Sequence, residues 1–129
     1  MLSSAVKWLF CGLIPLVVAC SGQQGTPELV LGGEVDLEQM KSATKTFAAF
    51  REQEEGSELV LKGKIGKVCP AGCWFYLESD QDMTYVDVLG DFEVPQFSSG
   101  RTSWVRGRIS GTGGARILQA MRVVVAPAK

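Results

Sequence analysis

The sequence predicts a mainly β domain, a small closed barrel of five strands with one helix before it. Five segments after Gly56 place apolar side chains at every second position, which is the period of a β-strand. Glycine and polar turn residues separate most of these segments. In the stretch before Gly56, apolar residues recur at steps of three and four, which is the period of a helix.

The leading helix is predicted from Asp36 to Glu52. Asp36 is a typical N-cap residue, and Gln39 three positions later completes a capping box. One face of the helix is apolar and consists of Leu37, Met40, Ala43, Phe47 and Phe50. We expect this face to cover the sheet.

The strands are predicted in order along the rest of the chain. The first alternates from Leu59 to Ile65, and Gly63 and Gly66 allow it to bend strongly. The other four are predicted over Trp74–Leu77, Thr84–Leu89, Trp104–Ile109 and Ala115–Val125. The bent first strand and the long connection between the third and fourth favour a Greek-key barrel of the OB type. An SH3-like barrel or another small antiparallel sandwich is the alternative.

Residues 1–19 have the composition of an export signal. A short charged start precedes an apolar run from Trp8 to Val18, which is too short to span a bilayer comfortably. The sequence Leu-Val-Val-Ala-Cys that ends at Cys20 resembles the lipobox of bacterial lipoproteins. We therefore predict that Cys20 is lipidated. Cys11 does not fit, because the bulky Phe10 precedes it. An ordinary membrane anchor or a buried helix is the alternative.

The chain is thus predicted to contain a signal peptide (1–19), a lipidated cysteine with a flexible tether (20–32) and an OB-like domain with its leading helix (33–129). The residues from Ser21 to Pro27 are small and polar, as a tether requires. Ser21, rather than an aspartate, is consistent with the outer-membrane sorting of enteric-type lipoproteins. The expected location is the bacterial cell envelope, with the protein held by lipid in the outer membrane and facing the periplasm.

Composition excludes several functions. The chain has 13 Lys and Arg against 14 Asp and Glu. Lys7 leaves with the signal, so 12 basic and 14 acidic residues remain and the formal charge is −2. Such a protein has no general attraction for nucleic acid or for an anionic membrane surface. The absence of histidine excludes Ser-His-Asp and Cys-His catalysis and imidazole metal sites. We predict neither an enzymatic activity nor a cofactor.

Cys69 and Cys73 remain once the signal and the lipidated cysteine are set aside. Pro70 and Gly72 between them predict a hairpin turn, across which the two cysteines face each other. A structural disulfide is the prediction, since the cell envelope is usually oxidising. A redox-active pair and a site for Cu(I) or another soft metal are the alternatives.

Three large rings are predicted to share one face of the second and third strands. If Phe75, Leu77, Val86 and Val88 point inward, alternation turns Trp74, Tyr76 and Tyr85 outward. In OB barrels this face commonly binds ligands, and aromatic side chains stack on bases or sugars. We predict that Trp74, Tyr76 and Tyr85 form the ligand-binding surface. The alternatives are that the helix covers these rings or that they belong to the core.

Acidic residues accompany the rings. Between Trp74 and Ser99 there are acidic side chains but no lysine or arginine: Glu78, Asp80, Asp82, Asp87, Asp91 and Glu93. A nucleic-acid-binding protein normally clusters its basic residues on the binding strands, so nucleic acid is not the expected partner. Six basic residues follow between Arg101 and Lys129, and four of them could form a basic face on the fourth and fifth strands: Arg106, Arg108, Arg116 and Arg122. Pairing with acidic residues across the barrel is favoured for them over a basic binding face.

Part of the chain is similar to a known group of proteins. The features are Gly63–Cys69, the Cys-x-x-x-Cys-Trp spacing, and Val94-Pro95 followed by Gly100 and Gly107. They resemble an uncharacterised bacterial family of secreted OB-like domains that carry a VC-x-x-GCW signature. The resemblance extends from Gly33 to Ile109, and it implies the fold and an exported location.

The predicted function is that of a lipid-anchored, non-enzymatic binding module of the cell envelope, with a protein, a glycan or a small molecule as ligand. A thiol-based redox or copper-handling protein that uses Cys69 and Cys73 is the alternative. Nucleic-acid binding, by analogy with other OB folds, is a third hypothesis.

Overall fold

The computed structural model describes residues 28–89 and 92–128. The predicted signal peptide, Cys20 and the tether up to Pro27 lie outside this part. The described elements are β1 (Leu29–Leu31), α1 (Leu37–Ser42), β2 (Thr44–Lys45), α2 (Phe47–Glu52), β3 (Glu58–Val68), β4 (Trp74–Glu78), β5 (Met83–Val88), β6 (Thr102–Ser110) and β7 (Ile117–Val125). Two short 3-10 turns, Gln96–Ser98 and Gly113–Ala115, lie in the connections before β6 and β7.

The strands β3 to β7 close into a five-stranded barrel. β3 pairs with β4 and β6, β4 with β5, and β7 with both β5 and β6. All of these pairs are antiparallel except β5–β7. Around the barrel the order is therefore first, second, third, fifth, fourth and back to the first strand, which is the Greek-key order of an OB barrel. The predicted fold class is confirmed.

The first barrel strand bends where the sequence predicts. β3 pairs with β6 up to Lys64 and with β4 from Lys64 onward, so it serves both halves of the barrel. A Cβ at Gly63 would lie 2.6 Å from the Glu78 carbonyl oxygen and 2.9 Å from Leu77 Cγ, so only glycine fits at this close approach. A register shift between Ile65 and Val68 marks a bulge on the β4 side.

The core fills the barrel with the inward residues of all five strands. Its fully buried members include Leu61, Ile65, Phe75, Leu77, Val86, Val105, Leu118 and Val123. Phe47 and Phe50 of α2 belong to the same cluster. A second, smaller cluster lies elsewhere, where Met40 of α1 packs with Val60 and Val124.

The single helix predicted from Asp36 to Glu52 is wrong, because β2 divides it into α1 and α2. Asp36 caps α1 as expected and accepts the Gln39 N–H at 3.2 Å. A second cap follows, since Thr46 accepts the Ala49 N–H at 3.0 Å. Threonine hydroxyls bind nearby backbone groups and so compete with helix continuation, which places the break in the Thr-Lys-Thr segment.

The strand β1 lies in part of the segment predicted as tether. Leu29–Leu31 pairs antiparallel with Val123–Val125 at the end of β7. Leu29 and Leu31 pack against the barrel core, so the folded domain begins before residue 33. Among the described residues, no helix has the length and hydropathy needed to cross a membrane.

Candidate functional site

The outer face of β4 and β5 carries the three rings that the sequence places there. Phe75, Leu77 and Val86 point inward and are fully buried, whereas Trp74, Tyr76 and Tyr85 are half-buried on the other side. The predicted alternation is therefore confirmed. Neither core cluster contains the rings, and α1 packs instead over Val60, Val124 and Trp104.

Strand register brings these side chains into close cross-strand pairs. Trp74 lies opposite Asp87, Tyr76 opposite Tyr85, and Glu78 opposite Met83. The Val88 N–H donates to the Cys73 carbonyl at 3.0 Å, so the next pair along the strands, Trp74 with Asp87, is a non-hydrogen-bonded one. Side chains approach most closely in such pairs. We call the six residues Trp74, Tyr76, Glu78, Met83, Tyr85 and Asp87 the aromatic ladder.

The rings of the ladder touch one another. Trp74 and Tyr85 are nearly parallel, with centroids 5.7 Å apart and an interplanar angle of 26°. Tyr76 meets Trp74 edge-on at 5.6 Å and Tyr85 edge-on at 5.9 Å. These are favourable aromatic geometries, and they leave no space for a ligand between the rings. A ligand would therefore lie on top of the cluster, as on a platform.

Two carboxylates flank the rings. Asp87 lies beside Trp74 across the strands and two residues from Tyr85 on the same face. The pKa of Tyr85 is raised, first by partial desolvation and then by the negative charge of Asp87. At the other end, Glu78 lies opposite Lys64 of β3, and its side chain covers Gly66. Met83, which the sequence analysis did not assign to this face, is 60% exposed beside Glu78.

The predicted cysteine turn adjoins the ladder. The Cys69 N–H donates to the Trp74 carbonyl at 2.9 Å, and the Gly72 N–H donates to the Cys69 carbonyl at 2.7 Å. Gly72 has φ +75° and lies so close to Val94 that a Cβ would come within 2.8 Å of its backbone. The Val94 N–H also donates to the Gly72 carbonyl at 3.0 Å. The segment after β5 therefore holds the turn in place.

The two sulfur atoms of the turn lie 3.3 Å apart as thiols. The pKa of Cys69 is lowered, mainly by the hydrogen bond from the Cys73 thiol and then by the backbone N–H of Ala71. The same hydrogen bond raises the pKa of Cys73, and desolvation and the charge of Cys69 raise it further. The contact therefore favours a thiolate on one sulfur of the pair, and the backbone N–H of Ala71 favours it on Cys69. Within residues 28–89 and 92–128, no three His, Cys, Asp or Glu side chains group as metal ligands.

The structure places the other predicted residues as follows. Cys20 lies outside the described residues, so its lipidation stays a prediction. Arg106 and Arg122 face each other across β6 and β7 and line one cavity together with Glu34, Asp36 and Glu58. Arg116 donates instead to the Phe50 carbonyl at 2.7 Å, near the end of α2. Arg108 lies opposite Glu58 on one side and opposite Gln119 on the other, and Gln119 separates it from Asp87 of the ladder. None of these four arginines is a direct strand partner of a ladder residue.

The fold and this face define a small OB-like barrel with a half-buried aromatic surface on the outer side of its second and third barrel strands. No family model and no curated protein matches the chain. Among solved structures, the chain is similar to the hypothetical protein ygiW from E. coli. The identity is 12% and the TM-score 0.49, over 81% of this chain and 100% of that chain. The function is therefore inferred from the site itself.

We expect Cys69 and Cys73 to form a disulfide in the protein isolated without reductant. The turn already brings the two thiols into contact. Replacing both with serine should lower the free energy of unfolding by no more than about 2 kcal/mol, because the closed loop is very short. The fold should survive, since neither cysteine belongs to the core. Mass spectrometry that finds two free thiols or stoichiometric copper would overturn this expectation.

Proposed function

We propose that this protein is a non-enzymatic binding module that takes a neutral or cationic ligand on the aromatic ladder. The observation that carries the proposal is the contact of three half-buried rings on an outer face of the barrel. Large aromatic side chains gathered on an outer strand face, away from both core clusters, are a typical feature of a binding site. In OB barrels the second and third strands are the usual ligand face.

The charge around the ladder supports the choice of ligand. Each ring that stacks on a ligand contributes about 1 to 3 kcal/mol. Asp87 lies beside the rings and would repel a polyanion, while Glu78 at the other end of the ladder lies opposite Lys64. Nucleic acid is therefore the weakest of the three hypotheses, while a glycan or a basic protein segment matches both the rings and the charge.

We further propose that this binding module works in the bacterial cell envelope. Lipidation of Cys20 would hold the domain at the bacterial outer membrane, facing the periplasm. The partners would then be the membrane, through the lipid, and a protein or glycan of the cell envelope. The signature around Cys69 and Cys73 supports an exported domain, since it resembles that of a secreted family.

A second candidate function rests on the thiol pair. The 3.3 Å contact and the lowered pKa of Cys69 suit thiol–disulfide exchange, in which Cys69 would attack and Cys73 would resolve the mixed disulfide. Copper handling would use the same two sulfur atoms as soft ligands. The state of the isolated protein separates these activities from a structural disulfide.

The binding proposal is tested with Trp74→Ala and, as its matched control, Trp104→Ala. Trp104 lies on β6 in the small cluster under α1, away from the ladder. The probes are a tetramer of N-acetylglucosamine and a short arginine- and lysine-containing peptide, titrated by calorimetry. We expect Trp74→Ala to weaken the binding of at least one probe by about fivefold or more, from the loss of one stacking contact. Trp104→Ala should leave it unchanged.

Two results would contradict the proposal. One is equal weakening by both tryptophan variants, which would point to a general loss of structure. The other is binding of polyglutamate that is as tight as that of the basic peptide, because the carboxylates of the ladder should repel it.

A further inference from the structure

We propose that Trp74 and Asp87 form a guanidinium-binding site, which takes an arginine side chain from an extended segment of a partner protein. This inference rests on the proposed function and narrows its ligand. It follows from the two ends of the aromatic ladder, which carry one carboxylate each but in different surroundings.

Asp87 has no cationic neighbour among its strand partners. It lies opposite Trp74 on β4 and opposite Gln119 on β7, and both are uncharged. The two salt bridges found among the described residues, Lys41 with Glu28 and Arg51 with Asp82, do not involve it. Its charge reaches the neighbouring groups, since it contributes to raising the pKa of both Tyr85 and Cys73. The nearest basic residue in the same row of the sheet is Arg108 of β6, which lies one strand beyond Gln119 and forms no salt bridge with Asp87. Among the described residues Asp87 therefore has no partner cation, and it can take one from a ligand.

Glu78 has different neighbours on its strand partners. It lies opposite Lys64, a cation on the same face of the sheet. Its side chain covers Gly66 and so turns toward β3, away from the rings. The acidic ends of the ladder are thus unequal, and the favourable place for a ligand cation is the pair of Trp74 and Asp87.

The chemistry of this pair selects a guanidinium group. Tryptophan is the best aromatic partner for a cation, and a planar guanidinium can stack on a ring while its edge donates two hydrogen bonds to a carboxylate. An ammonium group is a compact, strongly hydrated point charge without the planar face and the two-pronged edge of a guanidinium, so it fits a ring and a carboxylate less well. Trp74 and Asp87 are a non-hydrogen-bonded pair, which brings their side chains close enough for one guanidinium to reach both.

The rest of the ladder indicates a polypeptide as the source of the arginine. Beyond the Trp74 pair lie the rings of Tyr76 and Tyr85 and then the exposed side chain of Met83. Successive outward pairs of a sheet are about 6 to 7 Å apart, which is the distance between alternate side chains of an extended peptide. A segment with arginine followed two positions later by an apolar residue would match the acidic pair and the rings in turn.

The test uses the full chain, purified in detergent, and three peptides that differ at one position. The peptides are acetyl-Arg-Gly-Leu-Gly-amide and the same sequence with citrulline or lysine in place of arginine. Citrulline keeps the shape of arginine but is neutral. We expect the arginine peptide to bind about tenfold or more tightly than the citrulline peptide, as a charged hydrogen-bonded pair requires. Free arginine amide should bind much more weakly than the arginine peptide.

Two variants locate the effect. The Asp87→Asn variant should bind the arginine and citrulline peptides equally. It should bind the citrulline peptide as tightly as the original protein does, and this unchanged binding would show that the surface is intact. Glu78→Gln, the matched control, should leave the preference within about twofold, because this carboxylate turns toward Lys64.

The outcomes separate this inference from the proposed function. Equal binding of the arginine and citrulline peptides, with both weakened by Trp74→Ala, would overturn the guanidinium site and leave the aromatic binding module standing. Equal binding of the lysine and arginine peptides would likewise overturn it. If free arginine amide binds as tightly as the arginine peptide, the inference that the arginine belongs to an extended segment of a partner protein is wrong. If Trp74→Ala affects no probe, both the inference and the proposed function fail.

Discussion

Phe75→Ala is expected to destabilise the barrel severely, whereas Trp74→Ala, one residue earlier, should have little effect on stability. Phe75 is fully buried, and it lies between Val68 of β3 and Val86 of β5 in the sheet. Truncation of such a side chain leaves a cavity in the core and typically lowers the free energy of unfolding by about 3 to 5 kcal/mol. Trp74 is half-buried on the outer face, so its replacement should lower this free energy by about 1 kcal/mol or less.

Urea denaturation followed by circular dichroism measures both changes. For a domain of this size, a loss of about 3 to 5 kcal/mol is at least about a fifth of the total stability, so Phe75→Ala should shift the midpoint strongly or leave the domain unfolded. Phe75→Leu keeps most of the volume and should recover much of the loss. If Trp74→Ala lowers the free energy of unfolding more than Phe75→Ala does, Trp74 rather than Phe75 points into the core. The proposed aromatic site would then be wrong.

The barrel strands are predictable because their signal is local. Alternation over four or more residues identifies each strand, and the Gly63 bend and the long connection before β6 then favour the OB order. β1 has no comparable signal. Leu29–Leu31 is only three residues long, and its pairing partners, Val123–Val125, lie at the far end of the described chain. Only the closed barrel, with the end of β7 open for another strand, makes this pairing favourable.

The helical period between Leu37 and Phe50 is real, but the single helix predicted from it is wrong. Leu37, Met40, Phe47 and Phe50 have helical spacing, but they serve two separate clusters. The local signal for the break, the two threonines around Lys45, is weaker than the apolar period. The helix breaks here because Thr44 and Lys45 can pair with Val60 and Leu61 of β3. This pairing joins distant parts of the chain, so the local sequence pattern does not predict it.

The candidate site is also predictable in part from the sequence. Alternation places Trp74, Tyr76 and Tyr85 on one face, and charge counting places acidic residues beside them. The sequence does not reveal that Glu78 covers Gly66 while Asp87 lies opposite the uncharged Gln119. The surroundings of the two carboxylates depend on which strands lie beside β4 and β5. The proposed arginine ligand rests on this difference between Asp87 and Glu78.

Cys20→Ala is expected to remove the protein from the membrane fraction or to leave it unprocessed. Each buried methylene of an acyl chain contributes about 0.8 kcal/mol, so several chains on Cys20 would hold the domain durably. The formal charge near zero offers no replacement for this attachment. Detergent phase partitioning, together with the intact mass of the purified protein, measures the effect.

Cys11→Ala is the matched control, because Cys11 lies within the apolar run and follows the bulky Phe10. This variant should partition and be processed like the original protein, with a mass that corresponds to a chain beginning at Cys20 and carrying lipid. For Cys20→Ala the lipid mass should be absent, and any membrane association should come with a retained signal of residues 1–19. A Cys20→Ala protein that keeps both its processed N-terminus and its detergent partitioning would show that something other than a lipidated Cys20 attaches the domain.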